Sequence, residues 1–87
     1  MVKIIFPESL HRFSDVGQMD LSLKKLSELS GALKESVPEL HKVIYTDDSL
    51  RGFVNLYLNE KPVMNQYDQV TLSDQDTIEF IASVSGG

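Results

Sequence analysis

Phe53-Val54-Asn55-Leu56-Tyr57-Leu58-Asn59 alternates strictly between two faces. Val54, Leu56 and Leu58 point to one side, and Phe53, Asn55, Tyr57 and Asn59 point to the other, the period-2 signature of a half-buried strand. Asn59-Glu60-Lys61-Pro62 follows as a turn, and a short strand is expected over Val63 to Gln66. Downstream, Leu72 to Asp76 reads as another turn. Thr77 to Ile81 then forms a final strand with Ile78 and Phe80 inward. Upstream, Val2 to Pro7 is an apolar run closed by a proline that cannot donate to a ladder, with Val2, Ile4 and Phe6 on one face. Ser9 to Gly17 is a polar loop, after which Gln18 to Leu21 is expected to return antiparallel to the first strand.

Between these strands the period changes. Leu23, Leu26, Leu29, Leu33 and Val37 recur every three or four residues, which predicts a helix from Ser22 to about Ser36, capped by Asp20 or Ser22. Pro38 disfavours helical geometry at Val37, and Gly31 weakens the interior. Pro38 to Gly52 reads as a short helical turn followed by a loop folded over the core. An early hairpin, one main helix and late strands predict an α+β roll of the β-grasp type. Its mixed sheet would have four to five strands, with the first and last side by side at the centre. Residues 1–81 would be the domain and residues 82–87 a flexible tail.

The charge is −5 overall, but residues 62–87 carry no Lys or Arg against Asp68, Asp74, Asp76 and Glu79. This balance argues against nucleic acid, whose phosphates are bound by clustered cations. With no Cys, thiol catalysis, iron–sulfur clusters and the usual structural zinc sites are excluded. No apolar run approaches the ~20 residues of a membrane span, and the first residues lack a signal peptide's layout, so a cytoplasmic location is expected. His11 and His41 belong to no metal-ligand spacing and are expected to be solvated. Asp47-Asp48 and Asp74-x-Asp76 suit turn chemistry better than a cation loop. No serine sits in a nucleophile elbow and no Gly-rich phosphate loop occurs, so no catalytic residue, bound metal or bound cofactor is expected.

What remains is Gly86-Gly87 at the end of the sequence. Lacking Cβ, two glycines can thread a narrow cleft and deliver a terminal carboxylate to a partner's reactive centre. A carboxylate is a poor electrophile until it is joined to AMP, which supplies a leaving group. The acyl adenylate can then be attacked by a persulfide, giving a thiocarboxylate, or by an amine, giving a conjugate.

Three stretches carry a resemblance to the MoaD/ThiS-type sulfur carriers, relatives of ubiquitin, over nearly the whole chain. They are Val2-Lys3-Ile4-Ile5-Phe6-Pro7, Phe53-Val54-Asn55-Leu56-Tyr57-Leu58-Asn59-Glu60, and Asp74-Gln75-Asp76-Thr77-Ile78-Glu79-Phe80 running into Val84-Ser85-Gly86-Gly87. The middle stretch is most similar to the CysO-like branch, which the long Pro38 to Gly52 connection also suits. Ala82-Ser83-Val84-Ser85 departs from the apolar, proline-containing approach common in molybdopterin-synthase small subunits.

The resemblance implies that Gly87 is adenylated and thiocarboxylated, and that Gly86, Ser85 and Val84 are recognised as the tail enters an activating enzyme of the ubiquitin-activating type. That enzyme would use ATP and magnesium. A persulfide sulfurtransferase would supply sulfur, and a biosynthetic enzyme making cysteine, thiamine, molybdopterin or another metabolite would consume it. A metalloprotease that trims the chain to Gly87 is a further partner left open. Conjugation of Gly87 to target lysines, and an interaction domain with an inert tail, are the alternatives. Phe53 and Tyr57 would form a partner surface or pack against Pro38 to Gly52, and the acidic C-terminal third would steer docking onto basic surfaces.

Overall fold

The computed structural model describes residues 1–11, 15–47, 49–63 and 69–82. The first strand, β1 (Val2–Ile5), runs antiparallel to β2 (Gln18–Leu21), with Val2 opposite Leu21 and Ile5 opposite Gln18. Phe6 leaves β1 still facing the core, and its N–H donates to the Gly17 carbonyl at 2.9 Å. The hairpin expected at the start of the chain is therefore present.

The main helix starts later than its apolar spacing predicts. A 3-10 turn over Leu26–Glu28 leads into α1 (Leu29–Ser36), and neither Asp20 nor Ser22 caps it. The backbone before the turn is already engaged elsewhere. Leu26 N–H donates to Val70 O at 3.0 Å, Leu72 N–H donates to Lys24 O at 2.8 Å, and Lys25 bridges Thr71. A helix beginning at Ser22 would break those bonds. Glu28 anchors the start instead, its Oε1 accepting from Lys24 N–H at 2.8 Å and Lys25 N–H at 3.1 Å. Those two bonds hold the Glu28 carboxyl below its ordinary value. Leu23, Leu26, Leu29 and Leu33 are all buried as their spacing requires.

Val37 ends α1, with φ −139° and ψ 69°, and Pro38 opens α2 (Pro38–Ile44). The Pro38 to Gly52 connection is more ordered than a helical turn and a loop. After α2, β3 (Tyr45–Thr46) and β4 (Ser49–Leu50) form a two-stranded ribbon, turned by Asp47 at φ 57°. Leu40 and Ile44 lie one helical turn apart and are fully buried, so the segment closes one side of the core as well as connecting it.

The alternating stretch forms β5 (Val54–Leu58), with Val54 and Leu56 buried and Asn55 exposed. Its hairpin turn is tighter than expected. Asn59 and Glu60 occupy it at φ 50° and 71°, so β6 (Lys61–Val63) includes Lys61 and Pro62 and starts earlier than Val63. Pro62 is tolerated there because β6 lies at an edge. The other residues expected in that short strand, 64–66, lie outside the described residues. The last strand, β7 (Thr77–Ala82), runs one residue past the expected Ile81, with Ile78 and Phe80 fully buried.

Across the described residues the sheet order is β2-β1-β7-β5-β6, with β1 and β7 parallel and the other pairs antiparallel. The first and last strands are central neighbours, as a β-grasp requires. Both helices cover one face, and the core lies between them and Val2, Ile4, Val54, Leu56, Ile78 and Phe80. Each large apolar side chain closed off in this way contributes about 1.5–3 kcal/mol of transfer free energy. Among the described residues, no helix is long and apolar enough to cross a membrane.

Candidate functional site: the root of the C-terminal tail

Gly87, Gly86, Ser85 and Val84 lie outside the described residues. The chain is described up to Ala82, the last residue of β7; residues 83–87, the expected tail, follow it in sequence, and the surroundings of Ala82 are the tail root. Ala82 pairs with Val54 and Ile81 with Asn55. The central placement of β7 follows from its sequence, because inward Ile78 and Phe80 give it a fully apolar buried face. β1 pairs with it as far as Glu79, and β5 continues the pairing to Ala82, holding the end of the strand in place.

An aromatic column stands beneath this end of the sheet. Phe6 stacks on Phe80 with centroids 5.9 Å apart, Tyr45 meets Phe80 edge-on at 6.3 Å, and His41 stacks on Tyr45 at 5.0 Å. Because β1 is parallel to β7, Phe6 lies at the Ala82 end of the sheet. The column thus links the tail root to α2. A second link runs through the main chain, where Arg51 N–H donates to Ile44 O at 2.9 Å and Val54 N–H donates to Arg51 O at 3.0 Å.

His41 corrects the expectation of a solvated histidine. It is 8% exposed, as is Ser30 of α1, whose Oγ lies 2.9 Å from His41 Nε2. The signal was present in the sequence, since His41 lies next to Leu40 on the buried stripe of α2. A serine at hydrogen-bond distance from an imidazole has the spacing of a nucleophile and its base. Here both groups are closed in between α1 and α2, and they act as a polar strut between the helices. His11 is exposed, and among the described residues no group of three or more His, Asp or Glu side chains converges as a metal site.

The outer face of the sheet carries the expected partner-surface residues. Phe53 is 42% exposed and Tyr57 is half-buried, and the alternation of β7 adds Ile81, 41% exposed, which sequence reasoning had not singled out. Ile5 and Tyr57 flank Glu79 on this face. Phe53 and Ile81 lie next to Val54 and Ala82, so two exposed apolar side chains border the tail root. Asp76 has the turn chemistry expected of it, since its Oδ2 accepts from Ser73 N–H at 2.8 Å. Asp74 lies 3.4 Å from the Met1 amine, while Asp48 and Asp68 lie outside the described residues.

The ThiS family model matches residues 4–87. No curated protein matches the chain in sequence. Among solved structures, a chain of the BexX/CysO complex of Amycolatopsis orientalis superposes with a TM-score of 0.82 at 18% identity, over 100% of both chains. The small archaeal modifier protein 1 of Methanosarcina acetivorans superposes with a TM-score of 0.81 at 24% identity, over 99% of this chain and 95% of that one. A chain from the complex of subunits 1 and 2 of the molybdopterin-converting factor of Helicobacter pylori gives 0.69 at 22% identity, over 99% and 97%. At these identities the likeness establishes the β-grasp fold.

Proposed function

This chain belongs to the ThiS family, and on that premise we propose that it is a sulfur carrier whose Gly87 carboxylate is activated by a partner and converted to a thiocarboxylate. The observation that carries this reading is the extent of the family match, which covers residues 4–87 and so includes Gly86 and Gly87. The chain itself supplies a folded domain and the Gly86-Gly87 carboxylate, and the chemistry is the partner's.

In the first step the Gly87 carboxylate attacks the α-phosphorus of ATP and pyrophosphate leaves, giving an acyl adenylate. ATP and magnesium are held by the activating enzyme. A persulfide sulfur then attacks the acyl carbon and AMP leaves. A thiol finally attacks the outer sulfur of the resulting acyl disulfide, forming a disulfide with the sulfur donor's own thiol sulfur and leaving the thiocarboxylate on Gly87. From Ala82, five further residues at ~3.3 Å each let the end reach ~17 Å into a cleft. The exposed Phe53 and Ile81 beside the root are suited to seat the carrier on the enzyme.

A second reading shares the adenylate. The likeness to a protein described as a small archaeal modifier favours a chain whose Gly87 is passed to the amine of a target lysine. Both readings require activation at Gly87. Deleting Gly87, or Gly86→Val, abolishes ATP–pyrophosphate exchange by the cognate activating enzyme if either is correct. Undiminished exchange with these variants would remove both.

A further inference from the structure

One recess on the helix side has three cations in its lining, although the chain's formal charge is −5. Lys34 in the last turn of α1, Lys42 in the last turn of α2 and Arg51 after β4 border an open recess of about 400 Å³, with His41 and Tyr45 in its wall and Asp47 as its one carboxylate among the described residues. Among the described residues, no ion pair engages Lys34, Lys42 or Arg51. Arg51 is held in place, its Nε and Nη2 donating to Lys42 O at 3.1 and 3.0 Å. The rest of its guanidinium donors remain for another acceptor.

The recess is close to the tail root. Arg51 O accepts from Val54 N–H, and Val54 faces Ala82 across the sheet, so ~10 Å of chain separates Arg51 from the residue opposite the root. A protein that draws in the tail must cover the surroundings of Ala82, and an extended contact there meets these cations. The recess is also poorly built for a compact phosphate. Lys34 and Lys42 sit at helix C-terminal turns, where free carbonyls rather than N–H groups collect, and Asp47 repels a focused multiple charge. Separate carboxylates, each meeting its own cation, suit the three dispersed side chains better.

We propose that this recess docks an acidic segment, bearing two or more carboxylates, of the enzyme that receives the tail. The inference rests on the tail-activation reading for the identity of the partner. It reverses the polarity expected from the acidic C-terminal third, since here the carrier contributes the cations.

The test uses the full chain in two arms. In the first, hexaglutamate is titrated into the labelled protein and followed by amide NMR. Shifts are expected at Lys34, Lys42, Thr46 and Arg51, and they should disappear in Lys34→Ala/Lys42→Ala and in high salt. No shift, shifts elsewhere, or inorganic pyrophosphate moving the same amides at lower concentration would overturn the proposal, the last by revealing a phosphate site. In the second arm, Lys34→Glu/Lys42→Glu raises the KM of the activating enzyme for the carrier by about tenfold with little change in kcat. An unchanged KM for a variant with wild-type circular dichroism also overturns it. Failure of the enzyme to activate even the wild-type chain counts against the tail-activation reading, while the peptide titration still decides the recess.

Discussion

Asn59 Nδ2 donates to Asp76 Oδ1 at 2.9 Å, while Asn59 Oδ1 accepts from the Thr77 N–H at 2.9 Å. One side chain therefore ties the β5–β6 turn to the first residue of the strand that carries the tail. Asn59 N–H also donates to Thr77 O at 2.8 Å. Asn59→Ala should cost about 1–2 kcal/mol, by removing both side-chain bonds and by putting Ala at φ 50°, a conformation Asn tolerates better. Chemical denaturation checks this, and an unchanged midpoint would show that the clamp adds nothing.

The same contact sets part of the acid sensitivity. The Asn59 amide first, and the Ser73 N–H second, hold the Asp76 carboxyl below its ordinary value of 3.8. In the unfolded chain both donors are gone, so the folded protein binds this proton more weakly. The resulting stability is complete above the unfolded value and is lost as pH falls through the lower folded value. Asp76→Asn should therefore lose less stability between about pH 6 and about pH 3 than the wild type. Glu28, also held low, keeps the acid limb from disappearing. Urea midpoints across that range measure the difference, and identical pH profiles would contradict it.

Backbone strain at the hairpin gives a separate prediction. Glu60 sits at φ 71°, where a side chain costs roughly 1 kcal/mol. Glu60→Gly should leave stability unchanged or raise it by up to about 1 kcal/mol, and Glu60→Val should lower it. Thermal melts of the pair give the sign, and a Val variant as stable as the Gly variant would remove the strain argument.

Gly31 lies inside α1, and a Cβ added there meets nothing within 4 Å. Gly31→Ala should stabilise the protein by about 0.5–1 kcal/mol through helix propensity and a less flexible unfolded chain. A loss of stability would mean that the helix face is not open at that point.

Leu56 is buried, and Leu56→Ala should cost about 2–5 kcal/mol. Its neighbour Asn55 is exposed, so Asn55→Ala should be nearly neutral by the same melt. Similar losses for both would mean that the two faces of β5 are not distinct.

These substitutions also mark what was legible in the sequence. The sheet was legible because Val54 to Leu58 alternates and because Val2, Ile4, Ile78 and Phe80 have an inward position dictated by period alone. The start of α1 was not, since Lys24 to Leu26 take their backbone partners from residues 70–72, far along the chain. No local pattern records that pairing. The β3–β4 ribbon was missed because two-residue strands carry too little alternation to read, and the Asn59-Glu60 turn lacks the glycine that usually announces positive φ. Of the candidate site, Gly86 and Gly87 were visible as composition. The aromatic column of His41, Tyr45, Phe80 and Phe6 was not, because it draws on three distant segments that only the folded sheet brings together.

Carrier function rests on the chemistry of one carboxylate, that of Gly87. Intact-mass measurement of the full chain, after incubation with its activating enzyme, ATP and a persulfide donor, tests it most directly. Exchange of one oxygen for one sulfur on a C-terminal fragment containing Gly87 is the predicted result. An unchanged mass with an enzyme that demonstrably forms the adenylate, or conversion only to lysine-linked conjugates, would contradict the carrier reading.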